Sequence, residues 1–288
     1  MDEVATIRYV ECPRDSWQAL PRVIPVAAKR SHIVSLLRAG FRTIDLGSFV
    51  SPVAVPQLAD TEQVVASLER SEGVDFLCVV VNKRGLERAG RVEAVSTVGY
   101  PLSINETFQR RNAGSSLEDS WSLIAWLRRA TRESGLRLIV YLSMGFGNPY
   151  GDPWHPSDTA VAVLRLRELG VEGIVLADTI GSATPERLGA VLNELTEIDR
   201  LGLHLHARSD SWEPRIRLAL DFGIRWFEGA LAGIGGCPFA QDELVGNLPT
   251  ELVLPWFARR GFESGVELSS LPRLADRAAN LSNRYGFR

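Results

Sequence analysis

Apolar positions along this chain fall into two alternating kinds of run. One is short and nearly continuous, as in Val74-Asp-Phe-Leu-Cys-Val-Val-Val81, the pattern of a parallel strand covered on both faces. The other is longer and amphipathic, as in the segment that Ser115 or Ser116 caps and that runs to about Glu133. The pattern predicts strands over Ala5–Glu11, Arg42–Leu46, Val74–Val81, Val92–Val98, Leu136–Leu142, Gly173–Ala177, Leu201–Ala207 and Arg225–Gly229. Helices are predicted over Pro25–Ala39, closed by Gly40, from Thr61 to about Arg70, and over Arg84–Ala89, Ser157–Leu169 and Glu213–Phe222. Thr184 with Pro185, and Thr250, start two more. The tail from about Ser269 reads as one or two helices on the outside.

Regular alternation of strand and helix implies a parallel sheet, and eight units in a chain of 288 residues imply a closed (β/α)8 TIM barrel of the α/β class with extra C-terminal helices. A doubly wound open sheet is the main rival. Such a sheet usually carries a Gly-rich phosphate loop after its first strand, and here that place holds Cys12-Pro-Arg-Asp15. Residues 1–288 are expected to form one catalytic domain, with the barrel over about 5–262 and a helical extension over about 263–288.

Composition narrows the function. The chain is 45% hydrophobic and 23% charged, with a net charge of −3 and no basic run, so a nucleic-acid binder is disfavoured. No stretch reaches 18 uninterrupted apolar residues, so no membrane span is expected. The N-terminus lacks the basic flank and apolar run of a signal peptide. The three scattered cysteines, Cys12, Cys78 and Cys237, suit a reducing compartment, so a cytoplasmic location is expected.

In a barrel of this kind the active site lies at the C-terminal ends of the strands. Arg14 and Asp15 fall there after strand one, Asp45 on strand two and Asp178 after strand six. His204 and His206 end strand seven, and Cys237 and Asn247 lie in the loop after strand eight. Strand side chains alternate, so the two histidines point the same way with α-carbons about 6.5 Å apart. With Asp15 they make a two-His-one-carboxylate set, to which Asn247 adds an amide oxygen. Such nitrogen and oxygen donors suit Mg2+, Mn2+ or Co2+ better than a structural Zn2+. Simpler readings stand beside these. The histidines could have separate partners, Asp15 could pair with Arg14, and Asp45 and Asp178 could cap turns. His32 and His155 are read as surface residues. Arg208, Arg110, Arg111, Asn112 and Lys83 lie near rim loops, either as solvated surface or as contacts for a phosphorylated ligand.

These residues match a family. Glu11-Cys-Pro-Arg-Asp-Ser-Trp-Gln18 resembles the Arg-Asp-x-x-Gln signature of metal-dependent lyases and synthases built on such a barrel. Asp45-Leu-Gly-Ser-Phe-Val-Ser-Pro52 with Pro56-Gln57, and Asp178-Thr-Ile-Gly181, resemble segments of hydroxymethylglutaryl-CoA lyase. Gly235-Gly-Cys-Pro-Phe-Ala240 followed by Gly246-Asn247 looks like that lyase's cysteine loop. The resemblance spans residues 6 to about 260, and a divergent bacterial branch shares its style. Asp45 stands where the better-known lyases have Glu, and Ala207-Arg208 where they have Asp-Thr.

The resemblance implies that Asp15, His204, His206 and Asn247 bind a divalent metal, Mg2+ or Mn2+, with Co2+ or Zn2+ as further possibilities. It implies that Arg14 stabilises the enolate of departing acetyl-CoA and that Cys237 is an acid/base on a mobile loop. Asp15, Asp45 and Asp178 join the catalytic set, and Arg14, Gln18, Asp178 and Asn105 are the substrate contacts. The implied reaction cleaves 3-hydroxy-3-methylglutaryl-CoA, or a close 3-hydroxyacyl-CoA, to acetyl-CoA and a keto acid, an oxo-acid-lyase step of leucine degradation. The expected partners are an acyl-CoA thioester and a second copy of the chain, with no nucleic acid and no membrane. Two alternatives are carried: a condensing synthase of the isopropylmalate or citramalate type, and a barrel that binds a ligand through its metal without catalysis.

Overall fold

The computed structural model describes residues 5–69, 71–208, 211–235 and 246–286. Eight parallel strands close into a barrel in sequence order: β1 (Arg8–Glu11), β2 (Thr43–Ser48), β3 (Asp75–Val79), β4 (Thr97–Ser103), β5 (Arg137–Ser143), β6 (Gly173–Asp178), β7 (Leu201–Leu205) and β8 (Trp226–Gly229). Closure comes from β8 pairing with β1, Arg8 opposite Trp226 through Glu11 opposite Gly229. The expected (β/α)8 TIM barrel is what the chain forms. A separate two-stranded pair, Ala5–Thr6 with Phe262–Glu263, ties the beginning of the chain to the segment after the barrel.

Period-two alternation divides every strand between two environments. Val10, Cys12, Leu77, Ile139, Tyr141, Val175 and Trp226 cluster inside the barrel, while the larger apolar cluster lies between strands and helices. Trp226 fills the lower interior because its neighbours are small: a β-carbon on Gly202 or Gly173 would sit 2.7 or 2.9 Å from its ring. The Arg8 guanidinium stacks 3.8 Å from the Trp226 ring centroid and closes that end.

The helices are α1 (Pro13–Gln18), α2 (Val26–Arg38), α3 (Thr61–Ala66), α4 (Lys83–Ala89), α5 (Glu106–Ala113), α6 (Leu117–Glu133), α7 (Pro156–Glu168), α8 (Pro185–Asn193), α9 (Glu213–Asp221), α10 (Thr250–Ala258) and α11 (Leu271–Tyr285). Ser116 starts α6 with a reciprocal capping box to Asp119. No helix among the described residues is long and apolar enough to cross a membrane.

Two expectations are corrected. The fourth strand is Thr97–Ser103, not Val92–Val98. Gly99 and Pro101 break the usual strand pattern, but β4 pairs with β3 only from Thr97 to Gly99, so Pro101 lies beyond the end of that ladder and removes no bond from it. His32 is not a surface residue: it is 2% exposed. Lys29, His32, Ile33 and Leu36 form the buried stripe of α2 at helical spacing. The ring of Trp17 meets His32 edge-on at 5.8 Å. Burial, helped by nearby Arg277, pushes the imidazole of His32 down to about 3. His155 is exposed as expected and caps α7 through its ring.

Candidate active site

The site begins where β1 stops. Pro13 occupies the first turn of α1, where its missing N–H breaks no helical bond. Residues three and four apart on a helix share a face, and that spacing gathers Arg14, Asp15 and Gln18. The Nη1 of Arg14 donates to Asp15 Oδ1 at 3.1 Å and to Gln18 Oε1 at 3.2 Å. Gln18 Nε2 donates to the same Asp15 oxygen at 2.6 Å. From β2, Asp45 Oδ2 accepts both Nε and Nη2 of Arg14, at 2.9 and 2.6 Å. The register of β2 against β3 shifts between Asp45 and Gly47, so a local irregularity sits beside this carboxylate. Four of the five guanidinium protons are thereby engaged, and the fifth, on Nη2, makes no such bond among the described residues. Burial works against the charge on Arg14, but Asp45 and Asp15 outweigh it and hold the guanidinium firmly protonated.

His204 and His206 leave β7 on one side, ring centroids 5.3 Å apart. Beyond the strand, the chain returning into α10 pairs with it: Ala207 N–H donates to Gly246 O at 2.7 Å, and His206 bridges to Asn247. Asn247 Nδ2 donates to Asp15 Oδ2 at 2.7 Å and to Ile234 O at 2.9 Å. Ligand atoms of Asp15, His204 and His206 lie within 4.8 Å of one another, all three residues buried. His206 Nε2 and Asn247 Oδ1 are buried with no hydrogen-bond partner among the described residues. Such atoms are costly unless something else satisfies them. A carboxylate oxygen and two imidazole nitrogens gathered in this way fit a divalent cation, and the amide of Asn247 is held against them with its nitrogen toward Asp15 and its oxygen unpartnered.

Protonation states agree with that use. Burial would raise Asp15, but Arg14, the two imidazoles and Asn247 override it and hold the carboxyl at about 2. Burial, then the neighbouring His204, push His206 down to about 4, leaving a neutral ring with a free lone pair. For His204 burial acts downward, and the carboxylate of Glu228 overrides it and raises the ring.

A cavity of about 290 Å3 opens above these groups. Arg14, Asp15, Gln18, His204 and His206 line it together with the apolar side chains of Val50, Val55, Val81, Phe108 and Ala113. Hydroxyls of Ser48, Ser143 and Thr179 and the amides of Asn82 and Asn112 punctuate the lining. Asp178 and Asn105 are not on this wall. Asp178 Oδ1 accepts the N–H groups of Ser182 and Ala183, and its Oδ2 pairs with Arg215 at 3.5 Å, so it organises the loop after β6. Asn105 caps α5 and donates to Asp152 at 2.8 Å. Cys237 lies outside the described residues.

Two buried carboxylates escaped the sequence reading. Glu228 receives a hydrogen bond from Tyr141 and holds His204. Glu11 accepts Leu231 N–H at 2.8 Å and Thr250 Oγ at 2.6 Å. It therefore grips both ends of the stretch that carries Gly235 and Asn247, and burial lifts its carboxyl to about 8. The one signal was a Glu inside the otherwise apolar Trp226-Phe-Glu-Gly229.

The family model described as HMGL-like matches residues 9–277. The hydroxymethylglutaryl-CoA lyase of Pseudomonas mevalonii is 33% identical over 272 residues, 92% of this chain and 88% of that protein. The crystal structure of an HMG-CoA lyase from Brucella melitensis superposes with a TM-score of 0.91 at 31% identity, covering 97% of this chain and 99% of that one. An HMG-CoA lyase from Acinetobacter baumannii, solved with coenzyme A and 3-methylmalate, matches with a TM-score of 0.89 at 27% identity over 96% and 92% of the two chains.

Proposed function

This chain belongs to the HMGL-like family and is a lyase of it, and from that premise we propose that it cleaves 3-hydroxy-3-methylglutaryl-CoA, or a close 3-hydroxyacyl-CoA, to acetyl-CoA and a keto acid. The observation that carries the proposal is the convergence of Asp15, His204 and His206 beside Arg14. The relative solved with coenzyme A supports a thioester substrate.

We assign Asp15, His204, His206 and Asn247 Oδ1 as holders of Mg2+ or Mn2+, which when bound would acidify the substrate's tertiary hydroxyl. Transfer of that proton to solvent water in the cavity lets a C3 carbonyl form while the C2–C3 bond breaks, leaving the electron pair on the thioester enolate. The remaining N–H of Arg14 meets the charge on the enolate oxygen, and its ion pair with Asp45 fixes its direction beforehand. Protonation at C2 completes acetyl-CoA, a role we assign to Cys237 by resemblance. Gln18 serves by holding Asp15 and Arg14 in register. The uncharged wall of Val50, Val55 and Phe108 would shield the enolate from water. We read residues 1–288 as one catalytic unit that works as a homodimer.

The test is acetyl-CoA release from hydroxymethylglutaryl-CoA with Mg2+ or Mn2+. Turnover lost on chelation and in Arg14→Gln supports the reading. No release from any 3-hydroxyacyl-CoA with a folded, metal-loaded protein would overturn it.

A further inference from the structure

We propose that Glu228 is a positioning residue for the metal site: it fixes His204 as the Nδ1–H tautomer, so that Nε2 presents its lone pair to the cation. The inference rests on the metal-site reading above and adds a member that lies beneath the ligands.

Strand register supplies the placement. β7 and β8 pair so that His204 stands directly opposite Glu228. His204 Nδ1 lies 3.0 Å from Glu228 Oε2. The carboxylate is 1% exposed, and burying such a charge is strongly unfavourable unless it is paired. Among the described residues no lysine or arginine reaches it within ion-pair distance, and the group there able to carry a positive charge beside it is His204. The Tyr141 hydroxyl donates to its other oxygen at 3.3 Å, and the Cys12 thiol lies 4.0 Å away. A purely structural buried carboxylate would have gained more from a guanidinium. This one is arranged to accept from an imidazole.

The consequence follows from imidazole chemistry. A neutral ring carries one N–H and one lone pair, and whichever nitrogen donates leaves the other free. With Nδ1 committed to Glu228, Nε2 is the nitrogen available on the side of Asp15 and His206. The ring of Tyr141 meets His204 edge-on at 6.3 Å and limits rotation of the imidazole. A carboxylate behind a ligating histidine also raises its basicity, and loss of such partners weakens metal binding about ten- to a hundredfold. The other histidine is oriented differently: the ring of His206 hydrogen-bonds the backbone of Thr179. One ligand is thus set by a side chain and the other by the main chain, so only the first is open to substitution.

Titration calorimetry of the metal-free full chain with Mn2+ tests the proposal. Glu228→Gln, which is isosteric, is expected to keep its far-UV spectrum while binding Mn2+ about ten- to a hundredfold more weakly. Glu228→Asp should recover part of that loss. A folded Glu228→Gln that binds Mn2+ with unchanged affinity overturns the proposal. A readout that needs no variant at position 228 is the 15N spectrum of the Mg2+-loaded protein, with His204 assigned from His204→Gln. A protonated Nδ1 supports the assignment, and a protonated Nε2 refutes it even if Glu228→Gln fails to fold. A wild-type chain that binds no Mn2+ at all would instead sink the metal-site reading, and the tautomer seen in the metal-free protein would then decide the Glu228 contact alone.

Discussion

Arg14 is both a structural counter-ion and the proposed electrophile, and the two roles can be separated. Asp45 is fully buried and relies on Arg14 for its charge pairing. Removing one partner of such a pair is destabilising by about 3 kcal/mol. Arg14→Gln should therefore lose stability in urea unfolding and also about 100- to 1000-fold in turnover. Adding Asp45→Asn should restore most of the stability and none of the turnover. A double variant that regained turnover would remove Arg14 from the chemistry. Gly235 gives a second residue-level prediction. Its backbone lies at φ +124°, and a β-carbon there would run into Asn247 Nδ2 and come 2.9 Å from Asp15 Oδ2. Gly235→Ala should weaken Mn2+ binding at least about tenfold by calorimetry, because the side chains of Asp15 and Asn247, the proposed ligands, must shift while α1 and β7 stay in place.

At the scale of elements, α2 couples the protein's stability to pH. Folded His32 stays neutral down to about 3, because burial and then Arg277 disfavour its charge. In the unfolded chain an imidazole protonates near the ordinary 6.5. Between those values the unfolded chain binds more protons, so stability rises with pH across the window. The contribution is complete above about 6.5 and is lost as pH falls toward about 3. Near pH 5 the loss amounts to about 2 kcal/mol. Denaturant unfolding of His32→Gln should show a shallower decline between pH 6.5 and 4 than the wild type. Equal slopes would mean that another group carries the acid sensitivity. The helix was legible from its period of apolar residues, but the stripe includes Lys29 and His32, polar types that composition assigns to the surface. Each is buried because a neighbour covers it: Asp60 pairs with Lys29 at 2.6 Å, and Trp17 packs against His32.

At the scale of the whole molecule, the site joins segments from opposite ends of the chain, since Asp15 and Asn247 are hydrogen-bonded across 232 positions of sequence. A cation held between α1, β7 and the segment entering α10 should therefore cross-link the barrel where it closes. Binding to the folded state alone stabilises by about 2.7 kcal/mol at a free concentration one hundred times Kd. Thermal melts should shift upward with Mn2+, return with a chelator, and lose the shift in His204→Ala. A shift of equal size in His204→Ala would place the ion elsewhere.

The barrel is legible in the order of residues, since period-two and 3.6-residue patterns are local properties and eight alternations leave little choice of architecture. The sequence also marked Arg14, Asp15, His204, His206 and Asn247, because each sits at a strand end or in a recognisable motif. Which of the polar residues face one another emerges only once the chain is folded. Folding turned Asp178 toward Arg215 and brought Glu228 beneath His204. Those outcomes depend on strand register, and a shift of one residue would send each side chain to the opposite face. Register is set by packing around the closed barrel, as with Trp226 seated against Gly173 and Gly202, and no local stretch of sequence contains it.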